Sequence, residues 1–121
     1  LNYSSAILCN VGYCMAVEKL IGVEVPERCQ WLRVLGGEIS RIADHLLGVG
    51  ATCLEMNAFT PFLYSLQARE LVWDLVNALC GGRVTSNYVR IGGMSADLPE
   101  GFAELARANL ARAFELIGET E

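Results

Sequence analysis

The sequence predicts an all-α protein, an antiparallel helical bundle of about four helices with one long central helix. Two observations predict it. Apolar residues recur at steps of three and four through four stretches of the chain, and Gly or Pro stands at the junctions. The composition agrees, because 121 residues with 53% hydrophobic side chains suffice for one packed core and not for two. We therefore expect residues 1–121 to form a single helical domain, an internal fragment of a longer polypeptide.

The first predicted helix runs from about Ser4 or Ser5, either of which can serve as its N-cap, to Gly22, which can terminate it. Pro26 separates it from the next helix, because proline disfavours helix just before itself and tolerates helix just after. The apolar positions of this first helix have helical spacing: Ile7, Val11, Cys14 and Ile21.

The second predicted helix, from about Glu27 to Phe59, is the longest, roughly 50 Å at 1.5 Å per residue. Its glycines oppose it by up to about 1 kcal/mol each, but each large apolar side chain that it buries contributes about 1.5 to 3 kcal/mol. We expect the helix to form, with its glycines at close approaches of neighbouring backbone. The apolar seam consists of Leu32, Leu35, Ile39, Ile42, Leu46, Val49, Cys53 and Met56, and the glycines are Gly36, Gly37, Gly48 and Gly50.

The sequence of the second half of the chain predicts two further helices with an irregular segment between them. The third helix extends from about Phe62 to Cys80 and stops at the glycine pair 81–82. Residues 83–96 are irregular, with an extended stretch at 88–91 followed by a turn at 92–93. Asp97 and Glu100 have the spacing of a capping box that opens the fourth helix. The predicted apolar faces are Leu66, Trp73, Val76 and Cys80 in the third helix, and Phe102, Leu105, Leu110, Phe114 and Ile117 in the fourth.

Composition excludes several classes of function. The net charge of −5 and the pI near 4.8 leave no basic face for phosphates, so we expect no nucleic-acid partner. The longest uncharged stretch, residues 1–17, falls short of the roughly 20 apolar residues that a membrane span needs, so we expect no transmembrane segment. Five cysteines without a CxxC pair and a single histidine predict free thiols in a reducing compartment and no metal site.

A half-polar stripe lies one position before the apolar seam of the long helix. Glu38 and Arg41 are spaced i,i+3, and Arg41 and His45 are spaced i,i+4, so the three side chains can form a ladder. One interpretation is a solvated helix face; the other is a polar seam against a missing partner domain. These residues by themselves identify no reaction. The stripe consists of Trp31, Val34, Glu38, Arg41, His45, Gly48, Thr52 and Glu55.

Three segments, 16–47, 60–62 and 87–102, resemble the D subunit of the proton-translocating NADH:quinone oxidoreductase, respiratory complex I. The resemblance implies part of a quinone-binding, electron-accepting subunit, which couples electron transfer from an iron–sulfur cluster in a neighbouring subunit to quinone reduction. It implies no cofactor in this fragment, with FMN and iron–sulfur clusters in other subunits, which would be its partners together with quinone. It also implies a peripheral place at the cytoplasmic face of the inner (plasma) membrane, and no activity for the isolated fragment.

The same resemblance implies site residues. Tyr3 lies in a tract similar to the family's L-D-Y-x-S, whose tyrosine hydrogen-bonds the quinone carbonyl, and a phenol can donate that bond. Glu55 stands where the family usually has Asp, which pairs with a quinone-contacting His on a preceding domain. Phe59 and Phe62 match positions along the apolar quinone channel, with core packing as the alternative. Thr85 stands where many relatives have a His close to the terminal cluster.

Two alternatives remain open. The nickel–iron hydrogenase large subunit is a related family, but Asn2 and Ser5 stand where its C-G-x-C ligands would be, so the thiolates that such a centre needs are missing. The second alternative is a non-catalytic helical interaction module. Substituting the stripe residues Glu38, Arg41 and His45 separates the two classes, because only the enzymatic interpretation predicts loss of quinone reduction with assembly intact.

Overall fold

The computed structural model describes residues 2–119, apart from the Tyr3 side chain. A 3-10 helix, Tyr3–Ser5, precedes four α-helices and one small hairpin. The all-α class is confirmed, and the second helix is the longest, as predicted. The elements are α1 (Ala6–Ile21), α2 (Glu27–Glu55), α3 (Phe59–Cys80), β1 (Val89–Arg90), β2 (Gly93–Met94) and α4 (Phe102–Gly118). None of the helices in these residues is long and apolar enough to cross a membrane.

Glycine ends two helices at the predicted positions. Gly22 (φ +71°) follows α1 and Gly81 (φ +74°) follows α3, each in the left-handed conformation that suits glycine. The N-cap prediction for α1 is half right. Ser5 occupies the N-cap position, but its side chain makes no capping bond. Asn2 instead caps the 3-10 helix, because its side-chain oxygen accepts a hydrogen bond from the Ser4 N–H.

A tight turn joins α2 to α3, so α2 is shorter and α3 longer than predicted. The long helix ends at Glu55 rather than at Phe59, and Asn57 adopts a left-handed φ of +65° that reverses the chain. Because α3 already begins at Phe59, Pro61 lies in its first turn, where no intrahelical N–H donor is needed. Gly50 of α2 faces Ser65 of α3 across this turn, so the two helices pack as an antiparallel hairpin.

The buried face of α2 differs from the predicted seam. Leu32, Ile39 and Leu46 are buried as expected, but Val49 and Met56 are 63% and 68% exposed. The predicted seam repeats every 3.5 residues, whereas a straight helix repeats every 3.6, so such a seam drifts around the helix by about 20° per heptad. The face that is buried keeps the 3.6 repeat over five turns. It runs through Leu32, Gly36, Ile39, Ala43, Leu46 and Gly50.

The faces predicted for α3 and α4 also require correction. In α3, Val76 is buried as predicted, but Leu66, Trp73 and Cys80 are only partly buried; the buried face is Ala68, Arg69, Val72, Leu75, Val76 and Leu79. In α4, Phe102 is buried, whereas Phe114 is 79% exposed and the small Ala113 lies inside. Helix α2 packs on α3, and α3 packs on α4; the buried residues of α4 are Phe102, Ala113 and Leu116.

The capping box predicted at Asp97 does not form. Helix α4 begins at Phe102. The preceding residue, Gly101, has a left-handed φ of +72°, which turns the chain into the helix. The Asp97 carboxylate instead accepts two hydrogen bonds from the exposed Arg28 guanidinium at the start of α2, at 2.7 and 3.1 Å. The extended stretch and turn expected around Val89 and Gly92 are confirmed as the antiparallel β1–β2 pair.

Candidate functional site

The α2–α3 turn brings three of the predicted site residues together. Glu55 is the last residue of α2 and is exposed. Phe59 opens α3 with 58% of its surface exposed, and its ring lies 6.1 Å from that of Phe62, tilted by 45°. Phe62 is partly buried and faces Gly50. The turn therefore carries a carboxylate at the end of α2 and an aromatic pair at the start of α3.

Tyr3 is the first residue of the 3-10 helix, which packs against α2 away from the α2–α3 turn. The Tyr3 side chain lies outside the described residues. The preceding residue, Asn2, donates a 3.0 Å hydrogen bond from Nδ2 to Oδ2 of Asp44 in α2. Asp44 and Glu55 are 11 residues apart, which places them about 16 Å apart along the axis and within roughly 20° on the same face. The structure thus places the Tyr3 backbone and Glu55 near one face of α2, about three turns apart.

The strip of α2 between Asp44 and Glu55 is uncovered. Gly48 is exposed, and a Cβ at that position would meet nothing within 4 Å. Thr52 is also exposed, and its hydroxyl donates a hydrogen bond back to the Gly48 carbonyl at 2.9 Å. That bond satisfies the hydroxyl within the helix. We call residues 44, 48, 52 and 55 the α2 strip; it is exposed at positions 48, 52 and 55 and partly exposed at position 44.

The polar ladder predicted on α2 forms only in part. Glu38 and Arg41 make an ion pair of 3.2 Å, with about half of each side chain exposed. His45 is exposed, and among the described residues no hydrogen bond joins it to Arg41. The two ends of the ladder line different grooves: Glu38 and Arg41 border a cavity between α1 and α2, whereas His45 borders one between α2 and α3.

The cavity between α1 and α2 has a volume of about 490 Å³. Its walls are largely apolar, with Leu8 and Met15 from α1 facing Val34 and Gly37 of α2. Leu8 lies close to Gly37, because a Cβ there would come within 3.1 Å of the leucine methyl. The expectation that the α2 glycines mark close approaches of neighbouring backbone is wrong in its partner: side chains lie against Gly36, Gly37 and Gly50, and nothing lies within 4 Å of a Cβ at Gly48.

A buried ion pair has no counterpart among the sequence predictions. Arg33 donates two hydrogen bonds to the Glu18 carboxylate, at 2.6 and 2.8 Å, and each side chain is only 7% exposed. Arg33 also donates to the carbonyls of Arg90 and Gly93, and Glu18 accepts the Gly92 N–H at 2.7 Å. This cluster, which we call the Glu18–Arg33 clamp, fastens the β1–β2 turn to α1 and α2.

The clamp lowers the pKa of Glu18 from 4.5 to about 2. The hydrogen bonds from Arg33 are the main cause, and the Gly92 N–H adds to them, while burial opposes the shift. The same pairing raises the pKa of Arg33. Both groups therefore stay charged at neutral pH, so this buried carboxylate is held as an anion and is no proton donor there.

No cluster of three His, Cys, Asp or Glu side chains suited to a metal ion occurs within residues 2–119. The five cysteines are all free thiols, of which Cys14 is buried.

Comparison with known proteins identifies the family. Residues 55–121 match the family model described as respiratory-chain NADH dehydrogenase, 49 Kd subunit. The chain belongs to this family. It is 56% identical over 104 residues, 86% of the chain, to the D 1 subunit of NADH-quinone oxidoreductase from Anaeromyxobacter dehalogenans, of which it covers 24%. Over its full length it is 48% identical to the D subunit from Myxococcus xanthus and 46% identical to the D 1 subunit from Sorangium cellulosum, covering 29% and 30% of them.

The family expected from the sequence segments is therefore confirmed. The chain spans about a quarter to a third of the length of the curated relatives it matches. Those relatives are named as components of an oxidoreductase, NADH-quinone oxidoreductase. The family match begins at Glu55 and so includes the aromatic pair Phe59 and Phe62.

Proposed function

We propose that this chain is a helical, quinone-facing part of a longer D subunit of NADH:quinone oxidoreductase. In the complete complex that polypeptide would couple electron transfer from an iron–sulfur cluster in a neighbouring subunit to quinone reduction. The observation that carries the proposal is the α2 strip, an open face with the Tyr3 backbone near one end and Glu55 at the other, where the chain turns into α3 and exposes Phe59. Sites for apolar ligands are concave and bury most of the ligand, so in the complete subunit other elements would close over this face.

The two ends of the strip take different roles. The Tyr3 hydroxyl donates a hydrogen bond, and then a proton, to the quinone oxygen as the ring is reduced. Glu55 lies about 16 Å along the helix from Asp44, at the other end of the strip. It acts through another group, the histidine of a preceding domain that the family resemblance implies. Phe59 and Phe62 form an apolar wall near this end.

Partners and location follow from the same proposal. The chain itself would hold no cofactor, and FMN and the iron–sulfur clusters would reside in other subunits, including the neighbour that carries the terminal cluster. The assembly would lie at the cytoplasmic face of the inner (plasma) membrane, and the isolated chain would have no NADH or quinone reductase activity. Glu38, Arg41 and His45, which are exposed here, would face a neighbouring domain of the complex.

The test is Tyr3→Phe in the complete complex, because this change keeps the ring and removes only the hydroxyl. We expect assembly and NADH oxidation by an artificial electron acceptor to stay near the wild-type rate. Quinone reduction should fall at least about tenfold, equivalent to roughly 1.4 kcal/mol of lost transition-state stabilisation. Unchanged kcat and KM for quinone would remove Tyr3 from the site.

A further inference from the structure

We infer that Asn2 and Asp44 are positioning residues for Tyr3, and this inference rests on the proposed function. Asn2 and Asp44 are 42 positions apart in the chain, yet the Asn2 Nδ2 donates to Asp44 Oδ2 at 3.0 Å. That bond ties the 3-10 helix, whose first residue is Tyr3, to the middle of α2. It therefore sets the position of the Tyr3 backbone relative to the α2 strip.

Asn2 also organises the short helix itself. Its side-chain oxygen accepts from the Ser4 N–H at 3.3 Å and from the Ser4 hydroxyl at 2.8 Å. Its Nδ2 donates to the Ser5 hydroxyl at 2.8 Å, and its carbonyl accepts from the Ser5 N–H at 3.3 Å. The two residues that follow Tyr3, Ser4 and Ser5, are thus both hydrogen-bonded to Asn2, the residue that precedes it.

With the Asp44 carboxylate as the acceptor opposite, only an amide at position 2 serves all these partners at once. It accepts from Ser4 through its oxygen and donates to Ser5 and Asp44 through its two N–H bonds, whereas an ionised carboxylate only accepts. A carboxylate at position 2 would lie about 3 Å from the Asp44 carboxylate, where like charges repel. Exchanging the two side chains restores one donor and one acceptor across the same gap. The reciprocal exchange therefore distinguishes this bond from a general loss of structure.

The experiment measures quinone reduction in the complete complex with a short-chain ubiquinone analogue. We expect Asn2→Asp to lower kcat/KM for quinone about tenfold, with NADH oxidation by ferricyanide unchanged. The double variant Asn2→Asp/Asp44→Asn should recover to within about threefold of wild type. Asn77→Asp, the same change at an exposed position of α3, is the matched control and should behave as wild type.

Two results would overturn the inference: wild-type quinone kinetics in Asn2→Asp, or a double variant no better than the single one. If Asn2→Asp fails to assemble, Asp44→Ala tests the inference instead, because it removes only the acceptor of the hydrogen bond. A loss of at least about threefold in kcat/KM for quinone supports the inference, and no loss overturns it. Tyr3→Phe, measured alongside, separates the two claims. A loss in Tyr3→Phe with none in Asn2→Asp removes the positioning role and leaves the proposed function standing.

Discussion

Glu18 and Arg33 form the most deeply buried ion pair among the described residues. Removing one partner of such a pair leaves the other charge uncompensated away from water, which costs about 3 to 5 kcal/mol. We expect Glu18→Gln to lower the free energy of unfolding by about 3 kcal/mol, measured by urea denaturation. Asp97→Asn breaks the exposed pair with Arg28 and is the comparison; it should have a much smaller effect, because both side chains are largely exposed. Equal losses in the two variants would contradict the role of burial.

The same carboxylate makes stability depend on pH. The Glu18 pKa is about 2 in the folded chain, against 4.5 for the ordinary group, so the folded state binds this proton less readily than the unfolded state. Its contribution is present above pH 4.5 and is lost as the pH falls towards 2. The difference in unfolding free energy between wild type and Glu18→Gln should therefore shrink across this window. A difference that stays constant down to pH 2 would contradict the clamp.

At the scale of single residues, the sequence predicts contacts between near neighbours in the chain and not contacts between distant segments. The Glu38–Arg41 pair was predictable, because it is local and i,i+3 spacing brings such side chains together. The Glu18–Arg33 clamp was not, since its parts are 15 and about 60 positions apart and meet only through packing. The one sequence feature that points to the clamp is the presence of Glu18 and Arg33, two charged residues, within otherwise apolar helical stretches. Glu55, Phe59 and Phe62 could be placed only by family resemblance.

At the scale of elements, periodicity predicted the helices well and their buried faces poorly. The α2 pattern indicates the correct type and the correct start at Glu27, yet it places Ile42 and Val49 in the core, and both are exposed. Hydrophobic character alone cannot choose between neighbouring faces when small residues permit closer packing. In α2 the buried face carries Gly36, Ala43 and Gly50, because side chains such as the Tyr88 ring and Ser65 fill the space that the glycines leave.

The α2–α3 contact gives a prediction with an internal control. A Cβ at Gly50 would lie 2.9 Å from the Ser65 Cβ, whereas one at Gly48 would meet nothing. Alanine gains about 1 kcal/mol of helix propensity over glycine at either site, but overpacking at position 50 costs about 1 to 3 kcal/mol. We expect Gly48→Ala to raise the thermal unfolding midpoint and Gly50→Ala to lower it, followed by far-UV circular dichroism. A stabilised Gly50→Ala variant would show that α2 and α3 are less closely packed.

At the scale of the whole molecule, much apolar surface remains uncovered. Large hydrophobic side chains on all four helices are more than half exposed: Tyr13 and Leu20 on α1, Trp31 on α2, Phe59 on α3 and Phe114 on α4. Exposed apolar area on this scale is typical of surfaces that meet other protein or ligand. It agrees with membership of a family whose matched relatives are three to four times longer than the aligned part and with the proposed role inside a complex.

The α2 strip provides a final prediction, which separates folding from function. Gly48 is exposed with open space around it, and leucine is a better helix former than glycine, so Gly48→Leu should not weaken the fold. In the complete complex, however, its side chain would stand in the proposed track between Tyr3 and Glu55. We expect quinone kcat/KM to fall about tenfold, while the isolated chain unfolds at the same temperature or higher. Ala108→Leu on the exposed face of α4 is the control, because it adds a similar side chain remote from the strip. Normal quinone kinetics in Gly48→Leu would mean that quinone does not pass over this face of α2.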